Sequence, residues 1–439
     1  MISFRNLLVV GTVMEVAYLS FYAVEDPVHD ALLFIAVNAL CFALLSWFAL
    51  RSTRTTSGSA DRGIILLIVG FALLFRLTLV FHQPVASNDV FRYVWDGRVA
   101  AAGYNPYEFS PLDPKLHDVR SESLPFLFNF PAMRTIYPPL AQLFFQFSYR
   151  LFGDSVTGMK LLLVVCDMAS ILLVGLICSI WGRAEPVSRS ILRGNSPLLL
   201  YAWSPLPIMY IALDGHLDGL GIPLLLLCIL LVLKQRGILS SIVLGLAALA
   251  KLYPLFVAPF LVRFAEGNER RWMPFVTVGV VALGYLLYLE PTGGVYESLI
   301  TYNTTFAFNG AVYGVVKIIL GSVISHWVCG ALFLAWLTFL FFRRLPAMET
   351  ILLVFVGFLI VSPTVHPWYF TWVAALVSLR WSLSIFLLLG LTNLSNIVVY
   401  RHQLNGVWEE SAILIALEYV PFAILFTREI MRQEILRRA

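Results

Sequence analysis

Long apolar runs alternate with short polar connections along most of this chain. The runs 7–24, 31–50 and 64–81 each hold close to the roughly 20 apolar residues that cross a bilayer core. Similar runs recur as far as the C-terminus. We therefore expect an all-α polytopic membrane protein of about 13 transmembrane helices, formed as a single domain over residues 1–439.

One apolar stretch is interrupted in its middle. Residues 238–262 carry Lys251-Leu-Tyr-Pro254 near their centre, with basic residues close to both ends. Proline and the residue before it disfavour a continuing helix. The stretch is therefore predicted to form a helical hairpin whose tip, at Lys251, points outward.

Connections that are rich in Lys and Arg alternate with connections that are poor in them. Because short cytoplasmic loops retain basic residues, the basic connections are predicted to lie inside and the others outside. Both termini are then cytoplasmic, and a bacterial cytoplasmic (inner) membrane is the expected location. The basic residues behind this orientation include Arg51, Arg54, Arg62, Arg183, Arg189, Arg193, Arg270, Arg271, Arg343 and Arg344.

Composition supports a membrane protein. The chain is 59% hydrophobic and 13% charged, with a mean hydropathy of +0.84. Soluble proteins carry roughly a quarter charged residues. Membrane lipid is thus the expected partner of most of the surface. The net charge of +4 is explained by cytoplasmic loops and gives no reason to expect nucleic acid.

The connection 83–158 is far longer than the others and is predicted to lie outside. It holds seven acidic residues, yet it is too short and too aromatic for an independent soluble domain. Its half-apolar helical patterns are typical of helices that lie on a membrane surface. We expect a large extracytoplasmic loop with one or more interfacial helices.

This loop opens with a polar stripe on a largely apolar helix. Ser87 or Asn88 can cap the helix, and an acidic residue suits its first turn. Two readings stay open: a surface helix whose charges face water, or a site that uses them. The stripe falls at i, i+3, i+4 and i+7 and consists of Asp89, Arg92, Tyr93 and Asp96.

Four other polar groups map to the same outer face. Each has a simple structural explanation: a histidine can cap a helix, Asp218 can pair with Lys251, and Lys251 can snorkel. Ionisable groups at membrane depth are costly, however, and their convergence on one face indicates a site. The groups are Tyr137-Pro-Pro139, Asp214-Gly-His-Leu-Asp218, Lys251 and His366-Pro-Trp-Tyr369.

The loop motif resembles a known family. Asp89-x-x-Arg-Tyr-x-Trp-Asp-Gly-Arg98, followed by Gly103-x-Asn-Pro-Tyr107, is similar to the first-loop signature of GT-C superfamily integral-membrane glycosyltransferases, in particular bacterial family 87-like and mannosyltransferase-like members. Shorter motifs extend the resemblance over most of the chain. They are Tyr137-Pro-Pro, Gly215-His-x-Asp-Gly219, Lys251-x-Tyr-Pro254, Phe308-Asn-Gly310 and Ser362-Pro-x-x-His-Pro-Trp-Tyr369.

The resemblance implies a GT-C-type helix bundle that is an inverting, polyprenyl-phosphate-sugar-dependent hexosyltransferase. The sugar, best matched to mannose, would pass to an extracytoplasmic glycolipid or glycan acceptor. Asp89 matches the family's acidic residue and would be the base. Many relatives place this loop after the first helix, whereas here two helices precede the one that enters it, so Asp96 is kept as the reserve base.

Other residues are assigned to binding the donor phosphate or the substrates, because the reaction needs positive charge and apolar stacking surfaces. A departing phosphate needs cations, and aromatic rings can stack on a sugar, although an interfacial aromatic belt is the competing explanation. No cofactor is expected, and a metal at Asp214, His216 and Asp218 is possible but disfavoured. The phosphate candidates are Arg92, Arg98, Lys251 and His366; the substrate candidates are Tyr93, Trp95, Asn105, Tyr107, Tyr137, His216, Asp218, Trp368 and Tyr369.

The main competing function is a transporter or flippase of a lipid-linked saccharide. Transporters are marked by repeats and by discontinuous helices at the bilayer midplane. The sequence shows no repeat, and few charges lie deep in the spans, Arg76 and Asp167 being the clearest. A polysaccharide polymerase or ligase is a third reading, disfavoured because the long loop comes early. The glycosyltransferase is the favoured hypothesis.

Overall fold

The computed structural model describes residues 3–23, 26–52, 62–184, 196–289, 294–343 and 345–438. Helices dominate these residues, and the β-structure among them is one bridge between Phe308 and Thr364. The predicted all-α class is confirmed. Four of the residues used for orientation, Arg54, Arg189, Arg193 and Arg344, lie outside the described residues.

Within the described ranges, seven helices are long and apolar enough to cross a membrane, which confirms a polytopic membrane protein. The total of about 13 stays a prediction. The seven are Phe4–Ala23, Pro27–Leu50, Arg62–Val80, Val156–Ile180, Ser196–Leu213, Ser322–Phe342 and Leu383–Asn405. Shorter apolar helices span Asp218–Leu233, Gly237–Ala250, Tyr253–Phe264, Ala311–Leu320, Ala347–Val361 and Pro367–Leu379.

The chain divides into two compact units. The first comprises Met1–Ala72, Pro186–Leu206 and Ala307–Ala439. Trp203 is fully buried in it, and its indole N–H donates to the Ile68 carbonyl at 2.9 Å. The helices of this unit are Phe4–Leu19, Pro27–Ser52, Ser196–Ala202, Ala311–Leu320, Ser322–Phe342, Ala347–Val361, Phe370–Leu379, Leu383–Leu391, Asn396–Asn405 and Ala412–Arg438.

The second compact unit comprises Leu73–Glu185 and Pro207–Phe306. The helix Arg62–Val80 begins in the first unit and ends in this one. Shorter turns are the 3-10 segments Pro114–Val119 and Tyr253–Phe260 and the π-helical turn Ile208–Leu213. Its other helices are Asp89–Ala101, Pro139–Phe152, Val156–Ala184, Asp218–Leu233, Gly237–Ala250, Met273–Leu286 and Gly294–Thr305.

Two charges deep in the spans of this unit pair with each other. Arg76 Nε lies 2.6 Å from Asp167 Oδ2, and neither side chain has any exposed surface. A buried guanidinium and carboxylate are tolerated when each neutralises the other. The two deepest charges in the sequence are therefore accounted for by a structural ion pair.

Asp89–Ala101, called the motif helix below, packs against Pro139–Phe152 and Val156–Ala184. Gly97 makes the first contact possible. A Cβ built on Gly97 would collide with the backbone carbonyl oxygen of Phe145. The glycine of the sequence motif is thus required by the close approach of two helices.

The helix break predicted at Lys251 is confirmed. The helix Gly237–Ala250 ends there, because Lys251 adopts an extended backbone with φ −156° and ψ 131°. Pro254 then lies in the first turn of the 3-10 segment Tyr253–Phe260, where its missing N–H leaves no helical bond unmade. This 3-10 segment packs back against Gly237–Ala250.

Candidate active site

Asp89 is the first residue of the motif helix, as the sequence predicts. Its backbone N–H donates to Ser87 Oγ at 3.2 Å. Asn88 occupies the N-cap position but its side-chain amide donates instead to the Leu127 carbonyl at 3.2 Å. The Asp89 carboxylate does not cap the helix. Its Oδ2 lies 3.9 Å from Nδ1 of His216.

The environment of Asp89 raises the pKa of its carboxyl to about 6. Burial is the largest cause, followed by Lys251, which lowers the pKa, and Asp218, which raises it; Arg92 also lowers it. The side chain nevertheless keeps 36% of its surface exposed. Asp89 is therefore an accessible carboxylate that titrates close to neutrality, which suits a general base.

Asp218 and Lys251 form a close ion pair beside Asp89. Lys251 Nζ donates to the two carboxylate oxygens at 2.7 and 2.9 Å, and the Tyr253 hydroxyl donates to Oδ1 at 3.1 Å. The Asp218 side chain is 1% exposed, whereas that of Lys251 is 18% exposed. The pairing considered from the sequence is thus present, and the lysine side chain remains partly exposed.

The rest of the polar stripe turns inward. Asp96 accepts from Arg92 Nε at 2.8 Å and from Gln142 Nε2 at 3.1 Å. Arg92 also donates from Nη1 to the Met133 carbonyl at 3.0 Å. The side chains of Arg92 and Asp96 are only 9% and 2% exposed, so these charges do not simply face water.

Aromatic side chains of the motif helix also lie in the interior. Tyr93 stacks on Phe145 with 4.7 Å between ring centroids and meets Tyr137 edge-on at 4.9 Å. Burial raises the pKa of both tyrosines well above 10, so their hydroxyls stay neutral. Trp95 is 1% exposed, whereas Tyr137 is half-buried and reaches the surface of the unit.

Three further candidates shape the loop after the motif helix. Arg98 Nη1 lies 2.8 Å from Asp154 Oδ2. Asn105 accepts from the Tyr107 N–H at 3.1 Å through its side-chain oxygen and donates to the Tyr288 carbonyl at 3.3 Å. These contacts fix the course of the chain that follows the motif.

Tyr107 links this loop to the next helix. Its hydroxyl donates to the Tyr137 carbonyl at 2.5 Å, and burial raises its pKa well above 10. Tyr137 in turn precedes the helix Pro139–Phe152. The Asn105-Pro-Tyr107 and Tyr137-Pro-Pro139 motifs are therefore brought together.

His366, Trp368 and Tyr369 belong to the first compact unit. The His366 ring stacks between those of Trp368 and Phe308, with centroid separations of 4.2 and 4.9 Å. Tyr369 meets the imidazole edge-on at 5.7 Å. The late motifs Phe308-Asn-Gly310 and Ser362–Tyr369 thus form one aromatic cluster within that unit.

In the second unit, Lys160 is not among the candidates named from the sequence, and Asp214 is named there only within its polar motif and as a disfavoured metal ligand. Asp214 is fully buried and accepts from the backbone N–H groups of Val85 and Ala86, while Lys160 is fully buried nearby. In the sequence, Lys160 stands alone among apolar residues, and this isolation could have marked it as a candidate. Across the described parts of the chain, no cluster of three or more His, Cys, Asp or Glu residues is arranged to hold a metal.

Comparison with known proteins gives one family. Residues 5–266 match the family described as alpha-(1->6)-mannopyranosyltransferase, N-terminal domain. Alpha-(1->6)-mannopyranosyltransferase A of Corynebacterium glutamicum is 24% identical over 224 residues, which cover 49% of this chain and 41% of that protein. An alpha-(1->6)-mannopyranosyltransferase of Mycobacterium tuberculosis is 26% identical over 191 residues, or 40% of this chain and 31% of that protein. The matches thus span less than half of each relative's length.

Proposed function

This chain belongs to the alpha-(1->6)-mannopyranosyltransferase family, and on that premise we propose that it is an inverting glycosyltransferase. It moves a mannosyl residue from a polyprenyl-phosphate donor to a glycolipid or glycan acceptor on the extracytoplasmic face of a bacterial cytoplasmic membrane. The observation that carries the proposal is the accessible Asp89 carboxylate, with a pKa of about 6, beside the Asp218–Lys251 pair.

Asp89 acts as the general base. It takes the proton of the acceptor hydroxyl while that oxygen forms a bond to the anomeric carbon of the mannosyl group. The bond from that carbon to the phosphate oxygen breaks in the same displacement, and its electron pair stays on the polyprenyl phosphate. Since the pKa is about 6, most of the carboxyl is already ionised at neutral pH and ready to accept the proton.

Lys251 is the best-placed cation for the departing phosphate. Its charge acts on Asp89, and its side chain keeps 18% of its surface exposed although Asp218 holds it in place. A fixed positive group in a partly dry site stabilises negative charge as it develops. Lys251 would therefore turn toward the phosphate while it stays beside Asp89 and Asp218.

Arg92 and Arg98 are less available in this arrangement. Two nitrogens of Arg92 already donate, one to Asp96 and one to the Met133 carbonyl. Arg98 forms an ion pair with Asp154. The same contacts make Asp96 less suited than Asp89 to take a proton, because it is almost fully buried. Phosphate binding by His366 stays a prediction.

Sugar recognition is assigned to groups that border Asp89. The half-buried ring of Tyr137 offers the sugar an apolar face. The His216 side chain is only 1% exposed, so its contact with the sugar stays a prediction. Trp368 and Tyr369 stay predictions as stacking residues. Tyr93 and Trp95 are core side chains, so they would support the site by packing beneath it and would not contact the sugar.

The test is a transfer assay with purified protein in lipid nanodiscs. The donor is radiolabelled polyprenyl-phosphate mannose, and the acceptor is a membrane-lipid extract. We expect label in a new product, and a loss of at least about a hundredfold in Asp89→Asn. Asp118→Asn, which changes a fully exposed carboxylate of the same loop, is the matched control and should transfer at the parent rate.

Two results would contradict the proposal. Parent-rate transfer by a folded Asp89→Asn protein would remove Asp89 as the base. Label that stays on every polyprenyl donor tested would remove the transferase assignment, and movement of the same donor across the bilayer would then support a flippase.

A further inference from the structure

Asp214, Gly215 and His216 hold the chain that leads into the motif helix. Asp214 Oδ1 accepts from the N–H groups of Val85 at 2.7 Å and Ala86 at 3.2 Å. Two residues later along the chain, His216 lies 3.9 Å from the Asp89 carboxylate. The segment Asp214–His216 thus contacts both ends of the stretch 85–89: the backbone at Val85 and Ala86, and the carboxylate of Asp89.

Gly215 lets this segment approach closely. Its φ of +75° favours glycine, and a Cβ there would lie 2.8 Å from Val90 Cγ2 and 2.9 Å from Lys160 Cγ. No side chain fits between the segment and the first turn of the motif helix. The three residues therefore contact the stretch 85–90 at both of its ends.

Lys160 holds the chain just before residues 85–90. Its ammonium donates to the His82 carbonyl at 2.7 Å, and the side chain is fully buried. Its positive charge also stabilises the ionised form of Asp214. The lysine thus holds the chain just after Arg62–Val80, and its charge acts on the carboxylate that accepts from Val85 and Ala86.

Asp214 itself is arranged to hold backbone rather than substrate. It is fully buried, and in the described part of the protein its Oδ2 has no hydrogen-bond partner. Burial raises the pKa of its carboxyl to about 7, while the two backbone N–H groups and Lys160 lower it. The geometry of Oδ1, which serves two N–H donors, is available to a neutral side chain as well.

We propose that Asp214 and Lys160 are positioning residues that fix residues 85–90 so that the Asp89 carboxylate is held beside His216. This inference rests on the proposed function, since it concerns the residue assigned as base. Neither Asp214 nor Lys160 touches the substrate. They act through the backbone of Val85, Ala86 and His82.

Paired substitutions at Asp214 separate its two properties. Asp214→Asn keeps the oxygen that accepts from Val85 and Ala86 but removes the negative charge, whereas Asp214→Ala removes both. We expect Asp214→Ala to lower kcat about a hundredfold with the donor KM nearly unchanged, because small misplacements of a catalytic group cost that much. Asp214→Asn should stay within about threefold of the parent.

The pH profile adds a readout that a general loss of packing would not move. A released Asp89 becomes better solvated, so its pKa falls from about 6 and the acid limb of kcat/KM moves to lower pH. Asp214→Asn reports the part of this shift that comes from charge alone. The other titratable and charged groups that face Asp89 are unchanged in both variants; they are His216, Asp218, Lys251, Arg92, Tyr93 and Tyr137.

Hydrogen exchange tests the positioning without any activity. The peptide that covers residues 83–92 should take up deuterium faster in Asp214→Ala and in Lys160→Met, but at the parent rate in Asp214→Asn. If the parent transfers no mannose and this pattern is still seen, the proposed function fails and the positioning stands. If Asp214→Ala does not fold, Asp214→Ser, whose side chain is too short to reach both amides, replaces it.

Asp167→Asn is the matched control, because it removes a carboxylate that is equally buried in the same unit. It should lower the melting temperature while leaving the acid limb and the exchange of residues 83–92 unchanged. The proposal is overturned if folded Asp214→Ala keeps the parent kcat and exchange. It is equally overturned if Asp214→Asn loses as much as Asp214→Ala.

Discussion

Breaking the Asp218–Lys251 ion pair from either side should move the pH dependence of transfer in opposite directions. Lys251 lowers the pKa of Asp89 and Asp218 raises it, and the two charges nearly cancel because 2.7 Å separates them. Lys251→Met leaves the Asp218 carboxylate uncompensated, so the pKa of Asp89 rises. Asp218→Asn leaves the Lys251 ammonium uncompensated, so the same pKa falls.

The magnitude follows from the position of Asp89. With a pKa of about 6, roughly a tenth of the carboxyl is ionised at pH 5 and roughly nine-tenths at pH 7. The parent kcat/KM should therefore fall about tenfold between pH 7 and pH 5. Since Asp89 is 36% exposed, we take about one pKa unit for each uncompensated charge, the low end for neighbouring groups.

The assay is kcat/KM for mannosyl transfer in nanodiscs, measured from about pH 4.5 to about pH 9 so that it spans the acid limbs expected for the parent and for both variants. The acid limb should lie near pH 7 in Lys251→Met and near pH 5 in Asp218→Asn, by the roughly one-unit shifts above. The position of the limb is independent of any loss of phosphate binding, which lowers the whole profile.

Lys115→Met is the control for loss of a lysine in the same chain. Lys115 Nζ lies 4.9 Å from the centre of the Phe109 ring and contributes nothing to the pKa of Asp89. Its profile should match that of the parent. Shifts of the two ion-pair variants in the same direction, or a parent limb below about pH 5, would refute the reasoning.

Two further predictions concern stability and are checked by thermal melting of the purified protein. Gly97→Ala places a Cβ against the Phe145 carbonyl and should cost about 2 kcal/mol, whereas Gly70→Ala, with no atom within 4 Å of the new Cβ, should cost nothing; equal melting temperatures would contradict the close approach. Asp167→Asn removes the carboxylate from fully buried Arg76 and should cost about 3 kcal/mol, so an unchanged melting temperature would show that the pair is not stabilising.

Local signals in the sequence predicted the local structure well. The motif helix begins at Asp89, because Ser87 and Asn88 end the preceding loop, and the helix Gly237–Ala250 breaks at Lys251, because Pro254 follows. Ser87 Oγ accepts from the Asp89 N–H, whereas Asn88, at the N-cap position, makes no capping bond in the described structure, because its amide donates to the Leu127 carbonyl instead. A capping preference fixes where a helix starts but cannot anticipate a partner 39 residues away.

The site itself could be predicted only in outline. Helical spacing places Asp89 and Asp96 on one face, but it does not show that Gln142 and Arg92 enclose Asp96 while Asp89 stays accessible. That difference comes from the packing of a second helix against the first. Spacing can therefore nominate both carboxylates, and only tertiary structure can separate them.

The role of Asp214 illustrates a different limit. Its position in Asp214-Gly-His-Leu-Asp218 suggested a ligand, whereas its oxygen accepts from two backbone N–H groups 128 and 129 residues away in sequence. Backbone donors carry no residue-specific signal, so such a contact cannot be read from side-chain types. The same holds for the pairing of Arg76 with Asp167.

That buried pairing has a consequence for how the protein is made. Arg76 and Asp167 are 91 residues apart, and the whole long loop with the motif helix is synthesised between them. The helix Arg62–Val80 therefore reaches the insertion machinery while its guanidinium still lacks the carboxylate. A lone arginine in an apolar helix is costly to release into lipid. The helix should be retained at the protein-lined insertion site until Val156–Ala184 arrives, so the two would enter the bilayer together.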